Sequence, residues 1–266
     1  MITDHYLQAF LFLLPMGILA GIVSTTAGLA SLVSYPALLA VGIPPVFADV
    51  TNTAALVMTG FGSMFSSKKE LTSHKKELIK IFPLTILGSI FGAWLLLSQP
   101  ASYFSKIVPF FVLLAGLLLF SQINKSKSNP LNLTRDESME NDAHSPVYKT
   151  VISVAILLVG MYCGYFGAAG GVMLLAILSA TTTMNFSSYN AVKNVSLGAS
   201  NLIATLIYAF SSHIYWGLAL PMGIGLFIGG YIGPKIVRVI PDKILKIIVS
   251  ILAVLLAIDL FVKAYF

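Results

Sequence analysis

Long apolar runs dominate this chain, near residues 6–42, 44–66, 78–99, 103–123, 147–182, 186–212, 215–233 and 244–262, with short polar segments between them. Each run reaches about the 20 residues that a helix needs to cross the hydrocarbon core of a bilayer. Two runs, 6–42 and 147–182, are too long for one crossing and rather short for two. Glycines cluster in the middle of both. There a helix can break, turn back, or leave backbone groups unpaired against a protein-lined cavity. The pattern predicts discontinuous helices at these two places.

The two clusters share a spacing. Gly17-x3-Gly21-x6-Gly28 recurs as Gly160-x3-Gly164-x6-Gly171, an offset of 143 residues. At that offset Ala48-Asp49-Val50-Thr51-Asn52-Thr53 falls on Ala191-Val192-Lys193-Asn194-Val195-Ser196. After a shift of five residues, Pro83 and Gly92 fall on Pro221 and Gly230. A duplicated membrane unit with paired broken helices points to a transporter whose site lies between the repeats. Gly88-x3-Gly92 and Gly225-x3-Gly229-x3-Gly233 place further glycines on one helix face, which signals close helix packing.

Composition removes the soluble alternatives. With 57% apolar and 10% charged residues, too little polar surface exists to cover a globule in water. The first apolar run has no Lys or Arg before it and recurs in mid-chain. It is therefore expected to belong to the mature fold rather than to a cleaved signal peptide. The net charge of +6 is dispersed between the apolar runs without any nucleic-acid-binding motif, so it reads as a topology signal. The single Cys163, inside an apolar run, excludes an intrachain disulfide and reads as buried packing.

One polar stretch, Ser121 to Lys149, divides the chain. The expected organisation is a first transmembrane repeat over 1–122, a polar cytoplasmic linker over 123–147 and a second repeat over 148–266. Lys68, Lys69, Lys75, Lys76 and Lys80 mark the loop 66–80 as cytoplasmic, which leaves 99–106 outside. In the second half the charge bias is exchanged: Ser211 to Tyr215 carries no Lys or Arg, whereas the next loop holds Lys235, Arg238, Lys243 and Lys246. Opposite insertion of the halves accounts for this and requires an odd number of crossings in each. Splitting each long first run gives five. The predicted fold is an all-α polytopic membrane protein of two inverted repeats of about five segments, with both termini outside.

Polar groups inside the spans are costly and so are functional candidates. Lys193 lies about eight residues into a segment starting near Asn185, roughly 12 Å deep at 1.5 Å per residue. It reads either as an anion ligand or as a lysine that snorkels or pairs with a structural carboxylate. Asn190, Asn194 and Asn201 share one helix face, with Ser196 and Ser200 nearby; they could bind an oxyanion or join helices. In the first half Pro44-Pro45 opens a helix, with Asp49 in about its first turn and Thr51, Asn52 and Thr53 following. Asp49 reads as a helix-start carboxylate or as a proton-coupling group. The breaks at Ser24-Thr25-Thr26-Ala27-Gly28 and Gly167-Ala168-Ala169-Gly170-Gly171 would aim half-helix N-termini at the membrane centre, where they suit anions.

Catalysis finds little support. His5, His74, His144 and His213 lie in loops or at span ends without metal-binding spacing, and no phosphate-binding or dinucleotide fingerprint is present. No enzyme activity, metal or cofactor is expected, and no nucleic acid partner.

These residues resemble the TauE/SafE sulfite exporter family of bacterial membrane proteins. The likeness rests on Gly17-x3-Gly21-x6-Gly28 leading to Tyr35-Pro36-Ala37-Leu38, on Ala48-x2-Thr51-Asn52, and on Gly164-Tyr165-Phe166-Gly167-x2-Gly170-Gly171. Asn190-Ala191-x-Lys193-Asn194 and Trp216-x2-Ala219-Leu220 complete it. The chain departs from the family pattern at Leu29, Ala30 and Ser31, where further glycines are usual, and at Thr53, where a lysine often follows the Thr-Asn pair. Lys193 is thus the candidate for the sole fixed positive charge.

The resemblance implies an alternating-access exporter of sulfite or an organosulfonate in the plasma membrane. Its expected contacts are Ser24, Thr25, Gly28, Thr51, Asn52, Thr53, Gly167, Gly170, Gly171, Asn190, Lys193 and Asn194, with Asp49 as the proton-coupling candidate. Partners are a small anionic substrate, the lipid bilayer and, as one option, a second copy in a homodimer. The competing reading is a membrane-embedded enzyme or assembly factor handling a sulfur-containing or lipid-linked group.

Overall fold

The protein is described here by a computed structural model covering residues 2–125, 146–168, 170–236 and 242–265. Most of the expected linker, and residues 237–241 of the second basic loop, lie outside the described residues. The described part is helical, with no strand.

The first half contributes α1 (Ile2–Ala27), α2 (Ser31–Ala40), α3 (Pro45–Ser66), the single-turn connector α4 (Lys68–Ser73), α5 (Lys75–Ser98) and α6 (Ala101–Lys125). The second contributes α7 (Pro146–Tyr165), α8 (Gly170–Thr181), α9 (Phe186–Ser211), α10 (Trp216–Ile236) and α11 (Asp242–Tyr265). Each long first run is therefore one full-length helix followed by a short one. The 10 residues of α2 and 12 of α8 rise about 15–18 Å, roughly half the hydrocarbon core.

Among the described residues, four segments are long and apolar enough to cross a membrane: Leu7–Ala27, Lys75–Ser98, Pro146–Tyr165 and Trp216–Gly233. Helices α3 and α9, with 22 and 26 residues, are long enough but carry polar clusters, and they occupy the interior. The five lysines of 66–80 are exposed.

Glycine stripes set the packing. Helix α1 runs parallel to α10, with Gly17 against Gly225 and Gly21 against Gly229; a methyl on Gly21 would stand 2.9 Å from the Gly229 carbonyl carbon. Helix α5 runs parallel to α7 in the same manner, and methyls on Gly88 and Gly92 would each meet a glycine carbonyl carbon, of Gly160 and Gly164, at 2.9 Å. Gly17, Gly21, Gly160 and Gly164 thus lie inside unbroken helices and serve packing; only the later glycines of each cluster break the chain. Helix α3 also packs on α10, α9 on α5, and α6 on α11.

Helices α3 and α9 cross antiparallel. Phe47, at the start of α3, faces His213 just beyond α9, while Leu71 of α4 packs with Ala191 and Val192 near the start of α9. The crossing point is Gly60 on Gly198, where a methyl on Gly60 would lie 2.6 Å from the Gly198 Cα. This register alters the sequence alignment. Asn52 and Asn190 each stand eight residues before the crossing glycine, and Ala55 and Lys193 five before it. Counted from this crossing, Asp49–Thr53 corresponds to Ser187–Ala191 rather than to Val192–Ser196.

Candidate functional site

Both predicted breaks are present. Gly28 and Gly167 adopt φ of +75° and +71°, the left-handed region that side chains with a Cβ disfavour, and each ends a long helix before a short one. The breaks touch: a methyl on Gly28 would lie 2.6 Å from the Gly171 carbonyl carbon. The first is closed by its own backbone, with the Gly28 amide donating to Ser24 O at 2.9 Å and the amides of Leu32, Val33 and Ser34 bonded back to Leu29 and Ala30. Fewer helix-end amides are spare than the sequence suggested, and side chains must supply more of the donors.

Lys193 is the eighth residue of α9 and has no solvent exposure. Asn185 caps that helix by accepting from the Ser188 amide at 2.9 Å, which fixes the start where the sequence placed it. The ammonium neither snorkels nor meets a carboxylate among the described residues. Its Nζ donates to Ser24 O at 3.2 Å, leaving two of its three protons for another acceptor.

A cavity of about 50 Å³ adjoins it, lined by Ser24, Gly28, Ser31, Thr59, Gly60, Cys163, Gly167, Gly171, Lys193, Asn194, Gly198 and Asn201 together with the apolar Ala30, Leu56 and Leu197. It has room for water or a small solute. Two of its buried lining atoms, Thr59 Oγ1 and Asn194 Nδ2, have no hydrogen-bond partner among the described residues. Buried polar atoms are normally paired, so a hydroxyl, an amide and an ammonium with unspent protons around one space form a donor-rich pocket. Such a pocket favours an anion with several acceptor oxygens.

Of the residues singled out in the sequence, the structure brings Ser24, Gly28, Gly167, Gly171, Lys193 and Asn194 to this cavity. The others stand around it. Asn190 donates to Thr25 O at 2.6 Å, while the Thr25 hydroxyl bonds to Gly21 O and Ile22 O. Asn52 donates to Ser31 Oγ at 3.2 Å and so orients a lining hydroxyl. Gly170 gives clearance to the Cys163 thiol. Thr51 accepts from the Tyr215 amide at 3.2 Å, tying α3 to the loop before α10. Thr53 is buried off the cavity. Ser31, Thr59 and Cys163 line the cavity without having been expected there. Helix membership alone offered no signal for them.

Asp49 lies apart from this group. It is the fifth residue of α3, in the second turn rather than the first, is 1% exposed, and neither carboxyl oxygen has a hydrogen-bond partner among the described residues. It lies within electrostatic range of the phenols of Tyr35, Tyr165 and Tyr208. Tyr35 is held edge-on to Phe166 with ring centroids 5.2 Å apart, and Tyr208 donates to Gly164 O. The carboxyl group is therefore buried within electrostatic range of phenols from both halves.

A helical membrane protein with a central cavity of unspent donors between two broken helices belongs to the transporter class. The comparisons agree. The family model described as "Sulfite exporter TauE/SafE" matches residues 13–260, and the chain belongs to that family. It is similar to the "Probable membrane transporter protein ORF9" of Sinorhizobium sp, with 27% identity over 96% of this chain and 92% of that protein. It also matches the "Probable membrane transporter protein YunE" of Bacillus subtilis, at 25% identity over 97% and 100% of the two chains. A third relative is the "Probable membrane transporter protein YfcA" of Escherichia coli K12, at 24% identity over 94% and 88%. No solved structure matches.

Proposed function

We propose that this transporter exports a small sulfur-containing oxyanion, sulfite or an organosulfonate, across the plasma membrane by alternating access. The observation that carries the reading is the Lys193 ammonium, wholly buried without an acidic partner among the described residues, beside the Thr59 hydroxyl and Asn194 amide, which are unpaired among those residues. A desolvated cation of this kind is costly, and a bound anion would offset that cost. The family description names sulfite export, and the three-oxygen face of sulfite or a sulfonate suits three donors.

Two inverted repeats account for the helix contacts. Exchanging α1 with α7, α2 with α8, α3 with α9, α5 with α10 and α6 with α11 turns the α1–α10 pair into α7–α5 and the α3–α10 pair into α9–α5. The α3–α9 and α6–α11 pairs map onto themselves. The 22 residues of α3 rise about 33 Å, a bilayer thickness, so the Phe47–His213 contact at its start and the lysine loop at its end belong to opposite faces. With the lysines inside, Ser211–Tyr215 is outside. Asp49, buried within electrostatic range of phenols from both halves, is the coupling carboxylate. The polar linker is cytoplasmic, and the copy number of the assembly is one or two.

The test is radiolabelled sulfite flux into proteoliposomes, with sulfate, thiosulfate and small sulfonates as competitors. Saturable flux inhibited by sulfonates supports the proposal. A purified, folded protein that moves none of these anions overturns it.

A further inference from the structure

Behind Tyr35 lies a second cavity, of about 560 Å³, between α2, the start of α3, α6 and α11. It shares no lining residue with the Lys193 cavity. Its wall includes Pro45, and Asp49 stands one helical turn further along the same face of α3. Tyr35 lines the cavity while also lying within electrostatic range of Asp49, and its buried hydroxyl, like both Asp49 oxygens, has no hydrogen-bond partner among the described residues. Three unpaired oxygens in one buried neighbourhood are rare. Asp259 and Lys263, ion-paired at 2.8 Å and both largely exposed, also line the cavity, as does Ser105; the rest of its wall is mainly apolar. Among the described residues, the titratable groups within electrostatic range of Asp49 are the phenols of Tyr35 on α2, Tyr165 at the end of α7 and Tyr208 on α9. No ion pair to Asp49 is formed among the described residues.

We propose that this cavity is the route by which protons from the outer face reach Asp49, passing the Tyr35 hydroxyl, and that it is separate from the path of the anion. The proposal rests on Asp49 being the coupling carboxylate. Pro45 begins α3, at the end opposite the lysine loop, which puts the cavity mouth on the outer side when the lysines are inside. A proton moving inward through it would protonate an Asp49 oxygen and be released on the inner side as the anion leaves. No other co-reactant is needed.

The test uses right-side-out membrane vesicles and radiolabelled sulfite, with protein-free vesicles subtracted. One coupled proton per anion predicts about a tenfold change in the steady-state sulfite ratio per pH unit. Ser105 lines the cavity. Ser105→Cys, labelled from outside with a bulky membrane-impermeant thiol reagent, should reduce that response to near onefold while sulfite–sulfite exchange continues. Unsubstituted protein treated with the same reagent is the control, because its Cys163 is buried. Asp49→Asn should abolish the pH response, and Tyr35→Phe should weaken it. If Asp49→Asn fails to assemble, the labelling result decides alone. A labelled Ser105→Cys protein with an undiminished pH response overturns the proposal. So does unsubstituted protein that exchanges sulfite without any pH response. Absence of sulfite exchange in unsubstituted protein instead defeats the transport reading beneath it.

Discussion

Gly28 and Gly171 meet backbone to backbone, so that a methyl on Gly28 would stand 2.6 Å from the Gly171 carbonyl carbon. This contact joins the break of the first half to the start of the short helix in the second, and the Lys193 cavity forms where they meet. Gly28 is constrained twice, by its φ of +75° and by this contact. Gly42 has the same backbone constraint, φ +89°, but open space around it. Gly42→Ala should therefore cost only the left-handed penalty, about 1–2 kcal/mol, and retain transport. Gly28→Ala must also push backbone apart and should lose both folded yield and flux. Thermal unfolding in detergent compares them. Equal effects would mean that the contact between the breaks is unimportant.

Lys193→Met keeps the length of the side chain and removes the charge. A buried charge without an ionic partner does not favour folding, so this variant should melt at an equal or higher temperature while its sulfite flux falls to the background of empty liposomes. A lowered melting temperature with preserved flux would assign the ammonium to structure instead.

Thr59→Val preserves shape at a hydroxyl that has no protein partner. Stability should change little. If the hydroxyl donates to the anion, losing about 1–1.5 kcal/mol should raise the sulfite KM roughly 5- to 10-fold. Thr85→Val removes a hydroxyl already spent on Phe82 O at 3.1 Å, away from the cavity, and should leave KM alone. The contrast between the two KM values is the measurement, and equal values would remove Thr59 from the site.

The breaks were legible in the sequence because two glycine clusters repeat one spacing, and the depth of Lys193 was legible because Asn185 is a recognisable helix cap. The match between α3 and α9 was not. Short polar runs such as Asp49–Thr53 and Val192–Ser196 can be aligned in several registers, and only the Gly60–Gly198 crossing selects one. Nor could Thr59 be picked out. Hydroxyls within apolar helices usually bond to a carbonyl three or four residues back, as those of Thr25, Ser34, Ser200 and Thr205 do. Thr59 and Ser196 do not, and nothing in the sequence distinguishes them. Asp49 was visible as an intramembrane carboxylate, but the phenols within its electrostatic range belong to Tyr35, Tyr165 and Tyr208, residues scattered across both halves.

Opposite insertion of the halves makes the sharpest topological prediction. Lys69 sits on the exposed connector between α3 and α5, and Ser211 is exposed at the far end of α9. Their loops correspond in the proposed repeats, joining α3 to α5 and α9 to α10, so parallel repeats would put both on one face. The antiparallel crossing of α3 and α9, with Phe47 beside His213, instead separates them by the length of α3. In intact cells an impermeant thiol reagent should label Ser211→Cys directly, and should reach Lys69→Cys only after the membrane is permeabilised. Buried Cys163 contributes little background. Labelling of both positions from one side would rule out the inverted arrangement, and with it the placement of the Asp49 cavity on the outer face.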